Sequence, residues 1–92
     1  MYEALELFEK KYALQMIMTV RDNPGFTKIG IIESEEGNNR TKYLRINEMI
    51  ENGIIFVKDE RNQYNSMRLY LTPKGQEIAT YLEKIIYSLA DA

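Results

Sequence analysis

The residues of this sequence with the most suggestive chemistry are cations. Arg40, Lys42 and Arg45 fall within six residues of one another, and Lys28, Lys58, Arg61 and Arg68 lie to either side along the chain. A guanidinium is a planar fork of donors, suited to phosphate oxygens or to a pair of acceptors such as O6 and N7 of guanine. Asn39, Thr41 and Leu44 are interleaved with them. An amide can pair with an adenine edge, and a threonine or leucine methyl can rest on the methyl of thymine. Chemistry of other kinds has little to stand on. Neither Cys nor His occurs, which excludes thiol nucleophiles, disulfides, thiolate or imidazole metal sites and the common catalytic triads. The 5 glycines are scattered and form no phosphate loop. No enzymatic activity, metal or cofactor is expected.

Charge distribution sharpens this reading. The chain of 92 residues carries a net −2, which by itself argues weakly against a polyanionic partner. Residues 38–75 nevertheless hold seven bases against four acids, a surplus of +3, and the remainder carries −5. A basic middle lies between acidic ends.

The elements that must position these cations are legible from periodicity. Leu5, Phe8, Tyr12, Met16 and Val20 recur at helical spacing and predict a helix over 2–21. A second stripe, Leu7, Leu14 and Met18, falls on the opposite side, so the helix should be sandwiched between two partners. Asp22-Asn23-Pro24-Gly25 is a turn, Thr27 is an N-cap, and a short helix over 28–34 should bury Ile29 and Ile32. After the polar turn 35–39, capped by Asn38 or Asn39, a third helix spans 40–52 and ends at Gly53, a left-handed C′ position. Its inner face is Tyr43, Ile46, Met49 and Ile50; Arg40, Thr41, Lys42, Leu44, Arg45 and Glu48 take the outer arc or its flanks. A hairpin follows over 54–71, with Met67, Leu69 and Leu71 inward and the polar tip Arg61-Asn62-Gln63 between its strands. Thr72-Pro73 then starts a long helix over 73–89.

Helix, short helix, turn, helix, hairpin and long helix in this order resemble the winged helix-turn-helix transcription regulators, in particular the multiple-antibiotic-resistance and phenolic-acid repressor-like groups of bacteria and archaea. Three stretches carry the resemblance: residues 8–17, the run Ile46-Asn47-Glu48-Met49-Ile50-Glu51-Asn52-Gly53-Ile54-Ile55, and Leu69-Tyr70-Leu71-Thr72-Pro73-Lys74-Gly75. The resemblance implies an α+β fold over residues 1–92: a three-helix core, a β-hairpin wing and a long C-terminal helix. It also implies a DNA-binding regulator, a repressor by analogy, with helix 40–52 in the major groove of double-stranded DNA. Lys28, Asn39, Arg40, Thr41, Lys42, Leu44 and Arg45 would then face the groove or its phosphates, and Lys58, Arg61, Asn62, Gln63 and Arg68 would work from the wing.

A chain this short buries only about 60–68% of its unfolded surface, so association would help it. Leu7, Leu14 and Met18, with Tyr81, Ile85 and Leu89 of the last helix, are the candidate contacts of a homodimer. The same residues can instead pack within one chain, Leu44 can fill the space beneath the second helix, and the hairpin can be free of any ligand. Winged helices also serve as protein-binding modules, the alternative to DNA binding. Tyr12, Met16, Tyr81 and Ile85 read as core, with no effector site assigned. The apolar runs are too short for a membrane span or a signal peptide, and a soluble cytoplasmic protein is expected.

Overall fold

The structure, a computed structural model, describes residues 2–59 and 67–91. A single 3-10 turn, Tyr2–Leu5, leads into α1 (Glu6–Glu9), followed by α2 (Ala13–Asp22), α3 (Lys28–Glu33) and α4 (Asn39–Glu51). Strands β1 (Ile55–Asp59) and β2 (Met67–Leu71) come next, and α5 (Pro73–Ala90) closes the chain.

Local chemistry starts each element where its residues dictate. The Thr27 hydroxyl accepts from Gly30 N at 3.0 Å, the Asn38 carboxamide oxygen from Thr41 N at 2.9 Å, and the Thr72 hydroxyl from Gly75 N at 3.0 Å. Each side chain satisfies one of the orphan donors of a first turn. Helix α4 stops in a Schellman turn: Gly53 has φ +72°, its N–H reaches Ile50 O, and Ile54 N reaches Met49 O. The N–H of Thr72 bonds to Ile54 O, tying the start of α5 to the exit of α4.

Strands β1 and β2 pair antiparallel with Ile55 opposite Leu71 and Val57 opposite Leu69. Gly25–Thr27 lies along the other edge of β2, where Gly25 N donates to Leu69 O and Leu69 N donates to Phe26 O. The core gathers Met16, Ile17 and Val20 of α2, Ile31 and Ile32 of α3, and Ile46 and Met49 of α4 over Ile54, Ile55, Leu69 and Leu71, with Ala79 of α5 at its margin.

Four expectations need correction. The helix predicted over 2–21 is interrupted: Lys10 is extended and Tyr12 takes φ +69°, a left-handed conformation rare for a bulky residue. The apolar stripe passes through the break unchanged, so periodicity alone cannot see it. Contacts from α4 hold it open, because Arg45 Nε donates at 3.0 Å to Lys11 O, a carbonyl that an unbroken helix would have used internally. In α3 the buried pair is Ile31 and Ile32, while Ile29 is 61% exposed. Two inner faces fit so short a helix, and the Gly25–Thr27 edge pairing decides between them. Tyr43 lies on the outside of α4, and the inner position belongs to Lys42. Met67 is exposed although its strand alternates, because it lies beyond the end of the core.

Two glycines are needed for different reasons. A Cβ on Gly53 would meet nothing, so only its φ is demanding; a Cβ on Gly75 would stand 2.2 Å from Ile54 O. Gly53→Ala should therefore lower stability by about 1–2 kcal/mol, and Gly75→Ala by about 3 kcal/mol, since main chain cannot step aside as a side chain would. Urea unfolding of the two variants checks the order.

Candidate nucleic-acid interface

Helix α4 presents its N-terminal half outward. Asn38 caps it, Asn39 and Arg40 in the first turn are exposed, and neither side chain has a hydrogen bond or ion pair among the described residues. Residues Arg40, Leu44, Asn47 and Glu51 share one arc at helical spacing, with Tyr43 beside it. Leu44 is 49% and Tyr43 46% exposed. The Lys28 ammonium at the start of α3 lies 4.7 Å from the centre of the Tyr43 ring and donates at 2.8 Å to Asn47 Oδ1. Lys28, Tyr43 and Asn47 therefore bridge the two helices on their solvent side. Lys58 is exposed on β1.

Several residues expected at this face do other work. Lys42 is fully buried, and its ammonium donates at 2.5 Å to Ile32 O and also to Glu35 O. These carbonyls close the C-terminal end of α3 and the turn beyond it, so Lys42 is a helix cap from a neighbouring helix. Its position on the wheel lies between Ile46 and Met49, and only the long stem with a reachable carbonyl pair makes a cation tolerable there. Arg45 is turned toward the α1–α2 break, where it bonds to Lys11 O and to Glu48. Lys10 Nζ reaches the other oxygen of Glu48 at 2.5 Å. Thr41 is half-buried, and its hydroxyl and N–H both donate to Asn38 Oδ1. Arg68 on β2 is half-buried and donates at 3.2 Å to Gly25 O, clamping the hairpin to the turn before α3. Arg61, Asn62 and Gln63 lie outside the described residues.

What the sequence reading missed at this face is Tyr43 and Asn47. Asn47 was recoverable, being seven residues after Arg40 and thus on its arc. Tyr43 was not, because an aromatic at a core-compatible position is ordinarily core.

Two titratable groups join this face to the N-terminal arm. Asn38 N donates at 3.1 Å to the Tyr12 hydroxyl, which holds that phenol below its usual range. The hydrogen bond from Lys10, aided by Arg45, holds the Glu48 carboxyl below the ordinary 4.5. The apolar side chains expected at an interface between copies vary in exposure. Leu7 and Met18 are half-buried, Leu14 and Tyr81 exposed, and Ile85 and Leu89 are 54% and 73% exposed. No helix of the described residues is long and apolar enough to cross a membrane.

No protein-family model and no curated protein matches the sequence. Solved structures do match its shape. Transcriptional regulator SlyA superposes with a TM-score of 0.78 at 18% identity over 94% of this chain and 61% of its own. A possible HxlR-family transcriptional factor from Thermoplasma volcanium gives 0.79 at 20% identity, over 96% and 79% of the two chains. FabT of Streptococcus pneumoniae, solved in complex with DNA, gives 0.76 at 16% identity, over 97% and 66%. The fold is a winged helix-turn-helix. This chain spans about three fifths of the length of SlyA. In winged-helix terms α3, its turn and α4 are the helix-turn-helix, β1 and β2 the wing, and α5 the long C-terminal helix.

Replacing Lys42 with Met should leave the Ile32 and Glu35 carbonyls without a donor and cost about 1–3 kcal/mol in urea unfolding. Because Lys42 neutralises no external charge, any salt dependence of ligand binding should be unchanged. A second outcome concerns acid. A carboxyl with a depressed folded pKa adds stability above its unfolded value and loses it as pH falls through the folded one. The stability difference between wild type and Glu48→Gln should therefore be present at neutral pH and shrink below the ordinary 4.5 of a glutamate, as followed by melting curves across that range.

Proposed function

We propose that this chain is a sequence-specific DNA-binding transcriptional regulator that acts as a homodimer. One observation carries the reading. Lys28, Arg40 and Lys58 stand on the solvent side of α3, α4 and the wing, and among the described residues none of them is paired with a carboxylate. Cations that no carboxylate neutralises, with Arg40 in the first turn of an exposed, capped helix, suit a groove whose flanks are phosphates. In this reading Arg40 and Asn39 meet base edges, Leu44 lies in the groove, and Lys28 and Lys58 contact the backbone. Arg61, Asn62 and Gln63, between the two strands in sequence and outside the described residues, are of types that would contact a minor groove or its phosphates. The resemblance of the sequence to repressor-like groups favours repression.

The homodimer rests on the terminal helices. In α5, Ile78, Leu82, Ile85 and Leu89 form one stripe whose first half packs on the core and whose second half is exposed. A second copy covering Ile85 and Leu89, together with Leu7, Leu14, Met18 and Tyr81, would remove that surface from water. A two-fold pair would set two α4 helices about 34 Å apart, or a multiple of it, on one side of a duplex.

A second reading, a protein-binding winged helix, is favoured by the apolar exposure of Ile29, Tyr43, Leu44 and Met67 on the same side. A salt titration separates the two, since phosphate contacts give a steep log–log slope and an apolar interface does not.

With a duplex selected from a random pool, Arg40→Ala should weaken specific binding by about 1–3 kcal/mol and relax preference at one position. Lys58→Ala should weaken all sequences alike and reduce the salt slope by about one. Sedimentation at micromolar concentration should show a dimer that Ile85→Glu dissociates; a wild-type monomer would remove the two-fold pair of α4 helices on the duplex.

A further inference from the structure

Two of the three cations that the sequence places on α4 are committed inside the molecule, Lys42 to carbonyls at the end of α3 and Arg45 to Glu48 and Lys11 O. Arg40 is the one cationic side chain that α4 itself offers to a groove. What surrounds Arg40 is apolar. Leu44 and Tyr43 on α4 and Ile29 on α3 are all about half exposed or more. Two shallow grooves, one between α3 and α4 and one between these helices and the wing, both have Ile29 and Tyr43 in their walls, so the strip is continuous. Lys28 and Arg40 line it, and Glu33 is the acid on its α3 side.

An apolar strip edged by cations is complementary to one feature of duplex DNA above others. The thymine C5 methyl is the apolar group exposed in the major groove, and phosphates run along both sides of it. Asn39, exposed on the wall of the α3–α4 groove, is of the side-chain type that pairs with adenine, the partner of thymine. We propose that this chain reads an A·T-rich half-site through thymine methyls seated on Leu44, Tyr43 and Ile29, with guanine contact confined to Arg40. The proposal rests on the DNA-binding reading above and adds the chemical feature that is read.

The experiment compares the wild-type protein on a selected duplex with the same duplex carrying deoxyuridine for thymidine, one position at a time. Deoxyuridine keeps every hydrogen bond and lacks the methyl. Binding should weaken about four-fold at each contacted position, the worth of one buried methyl-sized group. Leu44→Ala, a half-exposed site whose loss should leave the thermal melt unchanged, should bind the two duplexes equally at the position it contacts. Equal wild-type affinity for both duplexes, or a selected half-site of G·C pairs, would overturn the methyl reading while DNA binding stood. Enrichment of no duplex at all would overturn both.

Discussion

The geometry of the candidate interface depends on a buried ammonium. Lys42 extends from the inner face of α4 and donates to the carbonyls of Ile32 and Glu35, groups that the end of a six-residue helix and its turn would otherwise leave without donors. Burying an isolated ammonium is costly, and hydrogen bonds to well-placed carbonyls are what make it tolerable. The same bonds fix the angle between α3 and α4, because either helix moving would separate the charge from its acceptors. Lys28 on the far side, bonded to Asn47 and seated over Tyr43, joins the pair again at the surface. The two helices are thus held on their inner and their outer sides by one lysine each.

The arm formed by α1 is connected to the same helix. At the break between α1 and α2, Lys10 reaches Glu48, Lys11 O accepts from Arg45, and the Tyr12 hydroxyl accepts from the N–H of the residue that caps α4. The left-handed backbone of Tyr12 has a conformational cost, and this set of long-range contacts is what offsets it. A displacement of α1 would therefore be felt at the start and at the middle of α4. The N-terminal arm proposed to meet a second copy and the helix proposed to enter the groove share these contacts.

Removal of Lys42 and Arg45 from the outer face changes the character of that face. A helix with three free cations would hold any phosphate surface; in the proposed reading a helix with Arg40 alone, next to Leu44, Tyr43 and Ile29, would depend on shape and on apolar contact. The low net charge of the chain is consistent with this balance, since less of its binding would come from charge that is blind to sequence.

Elements governed by near neighbours in the chain were legible in the sequence. The caps Thr27 and Thr72, a cap at Asn38 or Asn39, the left-handed Gly53, the strict alternation through Leu69 and Leu71 and the proline at the start of α5 each follow from bonds spanning a few residues, and they determine a helix-turn-helix followed by a hairpin. Tertiary structure alone decided the direction of individual side chains and the break in the first helix. Lys42 and Arg45 have the same charge as Arg40 and lie within five residues of it, and what separates their roles is an acceptor ten residues or more away in sequence, at Ile32, or at Lys11. Periodicity records which face a residue occupies to within about a third of a turn. A long, flexible cation at the boundary goes wherever a carbonyl lies within reach, and the position of that carbonyl is a property of the folded chain.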